Sequence, residues 1–188
     1  MPSGVANVVV MPIRKGFGLI ELIVTISIVA ILMAIALPNF QGTINSNRTT
    51  SQSNDLIGAF NLARNEAISR NRVVTVCAAN TSSGTPTDCA NNGYWNLGWM
   101  VYVDTVTDSG APVTVPAANI LRTGSGDESI AISSNAAFVR YSSRGEVMAN
   151  ADRTLTFKPA YNCKAGQARR LTVSLIGRIG TQRLTTCP

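Results

Sequence analysis

From Phe17 to Leu37 the chain is apolar, with Glu21 as its single ionisable side chain. These 21 residues would rise about 31 Å as a helix, close to the thickness of a bilayer core. The run therefore predicts a transmembrane helix over 17–37. Arg14 and Lys15 precede it, and after it no charge appears until Arg48. By the positive-inside rule the N-terminus stays cytoplasmic and everything after Leu37 is exported. Ala34-Ile35-Ala36 has the small-x-small form of a secretory cleavage site. Against that reading, the run is longer than a usual signal core and contains a carboxylate. Helical periodicity then continues: Leu56, Phe60, Ala63 and Ala67 follow a 4-3-4 spacing, with Ile57 and Ile68 alongside. This is one apolar stripe, with Arg64, Glu66 and Arg70 largely away from it. Phe17 to Arg72 reads as one long helix of about 84 Å. Pro38 lacks an N–H and should kink or locally melt it, with Gly42 as a second weak point.

The period then changes. Val73–Ala78, Trp99–Val103, Ala137–Tyr141, Thr154–Phe157 and Leu171–Leu175 are short runs rich in Val, Thr and aromatics, and predict strands. Turn-forming stretches separate them: Asn80–Gly84, Asp108–Pro112, Gly124–Asp127 and Ser143–Gly145. The last predicts a hairpin whose second strand begins near Glu146. A helix followed by antiparallel strands gives an α+β fold, with the sheet packed on the helix stripe. The amphipathic helix occupies 38–72 and the β-rich domain 73–188.

Composition narrows the chemistry. Apolar types make up 45% of the chain and charged types 14%, too apolar a balance for disorder. Histidine is absent, which excludes His-based acid–base triads, His-ligated zinc and imidazole pH sensing. No close cysteine pairs exist for an all-Cys metal site. Asp104, Asp108 and Asp152 are scattered acids that nothing pairs in sequence. No catalytic residue, metal or cofactor is expected, and composition points away from enzymes.

The net charge of +6 is uneven. From Arg140 onward Arg140, Arg144, Arg153, Lys158, Lys164, Arg169, Arg170, Arg178 and Arg183 face only Glu146 and Asp152. Such an Arg-dominated quarter suits phosphates, acidic patches on neighbouring proteins, or ordinary solvated surface. The four cysteines, Cys77, Cys89, Cys163 and Cys187, all lie on the exported side, where an even count favours disulfides. Three pairings are open. Cys77–Cys89 with Cys163–Cys187 is preferred, because each bond closes a loop within a contiguous segment.

Glu21 needs its own explanation, because a carboxylate in an apolar helix is costly and is usually retained for a partner. A cut between Gly16 and Phe17 would create an α-amino cation at the edge of the apolar phase. Glu21 of one subunit would then neutralise the N-terminus of a neighbour and select a particular stagger between helices. Lys15-Gly16-Phe17-Gly18-Leu19-Ile20-Glu21-Leu22, followed by an apolar helix and Pro38, resembles the class III signal of type IV pilins and type II secretion pseudopilins. The resemblance implies a leader over 1–16, cleavage after Gly16 by a prepilin peptidase, N-methylation of Phe17, and assembly roles for Glu21 and Pro38. Gly18 departs from the Thr common in the family.

Later motifs sharpen this. Ala63 to Ile68 leads into a strand, Leu97-Gly98-Trp99-Met100-Val101-Tyr102-Val103-Asp104 precedes Ile120-Leu121-Arg122, and Leu171–Leu175 runs into Gly177-Arg178. Together these resemble the GspH/FimT group, which includes FimT- and FimU-like minor pilins and a minor pseudopilin. The implied function is that of a structural minor pilin helping to prime or cap type IV pilus assembly. The alternatives are a DNA-binding pilin for natural transformation and a minor pseudopilin of a type II secretion system. Some FimT-like proteins take up DNA through a C-terminal Gly-Arg-x-Arg motif. Here Gly177-Arg178-Ile179-Gly180 lacks the second Arg, though Arg183 follows, so Arg169, Arg170, Arg178 and Arg183 are the DNA candidates. The partners implied are other major and minor pilins or pseudopilins, the prepilin peptidase, the inner-membrane assembly platform and, on the alternative reading, DNA. The location implied is the bacterial inner membrane, single-pass, and then the pilus.

Overall fold

The computed structural model describes residues 18–81, 86, 88–89, 93–105 and 115–188, without the side chains of 35–39. The chain falls into two compact units, Met1–Phe40 and Gln41–Pro188. One helix, α1 (Leu19–Arg70), contributes to both. It is assigned without a break through Pro38 and Gly42, so the expected local melting at Pro38 is absent. It stops where Asn71 enters the left-handed region at φ +50°. There the N–H of Arg72 bonds the carbonyl of Ala67 at 3.1 Å, a common way for a helix to end.

In the first unit the side chains described on α1 are exposed, among them Leu19, Ile20, Ile31 and Leu32. The hydroxyls of Thr25 and Ser27 turn back onto the carbonyls of Leu22 and Ile23. The transmembrane half of the expected fold, and with it the single-pass inner-membrane location, is corrected here. Among the described residues no helix is long and apolar enough to cross a membrane. The polar side chains of Glu21, Thr25 and Ser27 interrupt the apolar run of α1.

The second unit carries the β structure: β1 (Val74–Ala78), β2 (Gly98–Val103), β3 (Ile120–Ser125), β4 (Ile130–Ser134), β5 (Phe138–Tyr141), β6 (Arg153–Pro159), β7 (Arg169–Val173) and β8 (Ile179–Arg183). They form not one sheet but two, in the orders β3-β2-β1-β5 and β4-β6-β7-β8. Every pairing is antiparallel. Leu56, Ala59, Phe60, Ala63 and Ala67 on α1 are fully buried against inward residues of both sheets, including Val76, Trp99, Val101, Leu155, Phe157 and Leu171.

The sheets differ in how they are covered. All of β1 and β2 is buried, because a second cluster of Cys77, Cys89, Met100, Tyr102 and Val115 lies on the other face of that sheet. Covered on both sides, those strands are apolar without alternation. In β6, by contrast, Leu155, Phe157 and Pro159 are buried while Thr154, Thr156 and Lys158 are half-buried, the period-2 pattern of a one-sided sheet. The expected turn at Gly124–Asp127 begins later than predicted, since Gly124 and Ser125 belong to β3. Ser143–Gly145 does turn the chain, with Gly145 N–H bonding Ser142 O at 2.8 Å. Its return strand shrinks to a single bridge between Tyr141 and Val147.

Candidate functional site

Gly16 and Phe17, the expected cleavage junction, lie outside the described residues. Glu21 stands in the first turn of α1, where an anion is favoured by the unpaired N–H groups of the helix end. Its side chain is exposed and makes no ion pair among the described residues. Pro38 is within the helix, with its side chain outside the description.

The cysteines are joined as Cys77–Cys89, with Cα atoms 5.6 Å apart, and Cys163–Cys187, at 6.0 Å. The first bond lies in the small core on the outer face of β1 and β2. The second ties the β6–β7 connection to the end of the chain, where Lys158 also bonds the Pro188 carbonyl.

Two of the charged residues singled out in the sequence meet inside the protein. Thr75 sits opposite Tyr102 on one side and Arg140 on the other. That register places three side chains in one row across β2, β1 and β5. Asp104, just past β2, receives all of them on one oxygen. Its Oδ2 accepts from Arg140 Nη2 at 2.9 Å, Arg140 Nε at 3.0 Å, Thr75 Oγ1 at 2.7 Å and Tyr102 OH at 3.2 Å. Arg140 also lies 5.0 Å over the Phe138 ring. Burial, with Asp104 adding to it, pushes the Tyr102 phenol well above its ordinary value. The cluster is neutral and sealed, so it serves as a clamp across three strands rather than as a reactive centre. Nothing in the spacing of residues 75, 102, 104 and 140 announces it, because only strand register brings them together. Of the other two acids, Asp152 accepts the Leu175 N–H at 3.1 Å, and Asp108 lies outside the described residues.

The four arginines of the C-terminal quarter are dispersed. Arg169 and Arg183 face each other across β7 and β8. Each is held separately, Arg169 by Thr50 Oγ1 at 3.1 Å and Arg183 by Gly166 O at 2.6 Å. Arg170 points to the opposite face of the sheet from Arg169, as the alternation of a strand requires. Arg178 lies at the far end of β8, about 16 Å along the strand from Arg183. Arg170, Arg178 and Arg183 are exposed, and Arg169 is half-buried.

One contact was not expected. Arg64, read from the sequence as facing away from the stripe, is half-buried and donates from Nη2 to Ile176 O at 3.0 Å. It braces two stacked turns whose glycines, Gly145 and Gly177, both adopt φ +77°. A Cβ on Gly177 would collide with the Gly145 carbonyl, and one on Gly145 would crowd Ile68 and Arg64. The helix thus fixes the turn that carries Arg178.

Comparison with known proteins gives likenesses of three kinds: family models, a curated relative and solved structures. A family model described as "Type II transport protein GspH" matches residues 52–177, and a prokaryotic N-terminal methylation motif matches residues 11–37. A type IV major alpha-pilin from Moraxella bovis is 51% identical over 43 residues, covering 23% of this chain and 27% of that protein. The chain therefore spans about a quarter of that relative's length. A crystal structure of the Pseudomonas aeruginosa type IV minor pilin FimU superposes with TM-score 0.55 at 18% identity, over 76% of this chain and 93% of that one. A second crystal form of FimU gives 0.53 at 19% identity, over 74% and 96%. At such identities the likeness is one of fold. The family model, however, covers well over half of the sequence, and the chain belongs to the GspH family of pilin-like proteins.

Proposed function

We propose that this chain is a structural minor pilin that takes part in priming or capping a type IV pilus. The observation that carries the reading is the joining of a prokaryotic N-terminal methylation motif over 11–37 to a domain with the fold of FimU. The apolar side chains left exposed from Leu19 to Met33 support it, since a contiguous exposed apolar surface marks an interaction site. In the fibre its partner is the equivalent segment of neighbouring pilins. Cleavage after Gly16 by a prepilin peptidase frees the Phe17 amine, which pairs with the exposed Glu21 of a neighbour. The assembly platform is the other partner of this reading. N-terminal analysis of the mature protein tests the processing step. A methylated Phe17 start agrees with the proposal, and a start at Leu37 contradicts it.

Two observations favour other readings. The description of the matching family favours a minor pseudopilin of a type II secretion system. The exposure of Arg170, Arg178 and Arg183 favours DNA contact at the last hairpin. Recovery from sheared pili, as against a secretion defect on deletion, separates the first from the pilus reading.

A further inference from the structure

Within the second unit α1 meets the sheets in two different ways. From Leu56 to Ala67 the contact is apolar, through the fully buried Leu56, Ala59, Phe60, Ala63 and Ala67. From Gly42 to Ser53 it is polar. Thr49 and Ser53 are buried there, and the Thr49 hydroxyl turns back onto the Asn45 carbonyl at 2.9 Å. Hydrogen bonds join this stretch to the rest of the unit. Gln167 Nε2 donates to Gly42 O, Arg169 Nε to Thr50 Oγ1 and Arg48 Nη1 to Ser129 Oγ, each at 3.1 Å. Such bonds add little net stability beside the burial of an apolar stripe, so residues 42–53 are the part of this helix segment that opens most readily. The Gln167 bond depends in turn on a disulfide. Gln167 is buried in the β6–β7 connection, where its Oε1 accepts the Lys164 N–H at 2.8 Å. Lys164 follows Cys163, which is tied to Cys187. Cys163 and Cys187 are half-buried and belong to neither apolar cluster. Cys77 and Cys89, by contrast, are buried inside the smaller one. Thiol–disulfide exchange requires access for the attacking thiolate, so the two bonds differ sharply in what a reductant can reach.

We propose that Cys163–Cys187 is a redox-sensitive clasp, whose reduction loosens residues 42–53 of α1 while residues 56–67 stay docked. The reductant is a dithiol. One of its thiolates attacks a sulfur of the pair, forming a mixed disulfide and freeing the other cysteine. Its second thiol then displaces the remaining cysteine. Two electrons and two protons pass to the pair, and the dithiol leaves as a disulfide. Leu184 N–H still bonds the Ala168 carbonyl at 2.9 Å, so β8 keeps its place. Beyond it the tail retains the bond from Lys158 to the Pro188 carbonyl. The β6–β7 connection loses its covalent tether, and with it the fixed placement of Gln167 against Gly42. The proposal does not depend on the pilus reading.

The test is amide hydrogen exchange of the full chain, read by mass spectrometry before and after treatment with graded dithiothreitol. Alkylation of free thiols, mapped by peptide, gives the order of reduction. Cys163 and Cys187 should become alkylated at least tenfold faster than Cys77 and Cys89. In the half-reduced protein the amides of residues 43–53 should exchange at least tenfold faster, and those of residues 57–68 should stay within about twofold of the oxidised protein. Reoxidation should restore the slow exchange. Gln167→Ala, with both disulfides intact, removes the bond to Gly42 and should speed exchange over 43–53 without any reductant. Equal alkylation of all four cysteines, or reduction of Cys77–Cys89 first, overturns the proposal. So does unchanged exchange over 43–53 after selective reduction, or an equal rise over 43–53 and 57–68, which would make the bond a prop of the whole unit. Unaltered exchange in Gln167→Ala overturns the link from the disulfide to the helix.

Discussion

Gly177 and Gly180 stand three residues apart on the last hairpin and differ in what surrounds them. Gly177 has φ +77° and faces the Gly145 carbonyl and Arg64, whereas a Cβ on Gly180 would meet open space. Gly177→Ala is therefore expected to destabilise the second unit by about 2 kcal/mol or more. Gly180→Ala should stay within about 0.5 kcal/mol. Urea unfolding of the two variants checks the contrast. Asp104→Ala removes the acceptor shared by Arg140, Thr75 and Tyr102, and should cost about 3–5 kcal/mol, the range for breaking a buried ion pair. The buried tyrosines set a pH limit. Burial raises the phenols of both Tyr102 and Tyr141 above their ordinary value, so the folded state resists their ionisation. Their contribution is complete below the unfolded value of about 10 and is lost as pH rises beyond it. Stability measured from pH 8 to 11.5 should fall above about pH 10, and less steeply in Tyr141→Phe.

Elements differed in how plainly the sequence announced them. The strands β1, β2, β5, β6 and β7 were legible because they are central or well buried and carry the Val, Thr and aromatic residues that fill a core. β3, β4 and β8 were not. Each is an edge strand, and Ile120–Ser125 and Ile179–Arg183 are largely polar and exposed. With one side unpaired, little in their composition distinguishes them from loop. The helix stripe was legible through its spacing, whereas the brace from Arg64 was not, because its partner at Ile176 lies 112 residues away. The apolar run at the N-terminus was legible as helix, but its reading as a transmembrane span did not survive. Disulfides act at this scale too. Cys163–Cys187 closes a separation of 24 residues, and its removal by paired Ser substitution should cost about 3 kcal/mol in the chain-entropy model. Thermal unfolding with and without the bond measures this.

For the molecule as a whole, the structure changes how the competing readings should be weighed. Arg140 is buried against Asp104, so the excess positive charge of the C-terminal quarter is smaller at the surface than the sequence count implies. A DNA receptor would therefore lean on Arg170, Arg178 and Arg183. Arg178→Glu should weaken duplex binding more than Arg70→Glu, with a steep salt dependence. The pilin reading is tested most directly by quantitative mass spectrometry of sheared fibres from cells carrying the wild-type chain or Glu21→Ala, with disulfide formation checked in both as a measure of folding. A mature chain is expected at a small fraction of the major pilin, depleted at least tenfold by Glu21→Ala while both disulfides still form. Absence of the wild-type chain from the fibres, or equal recovery of the two forms, would contradict the pilin reading.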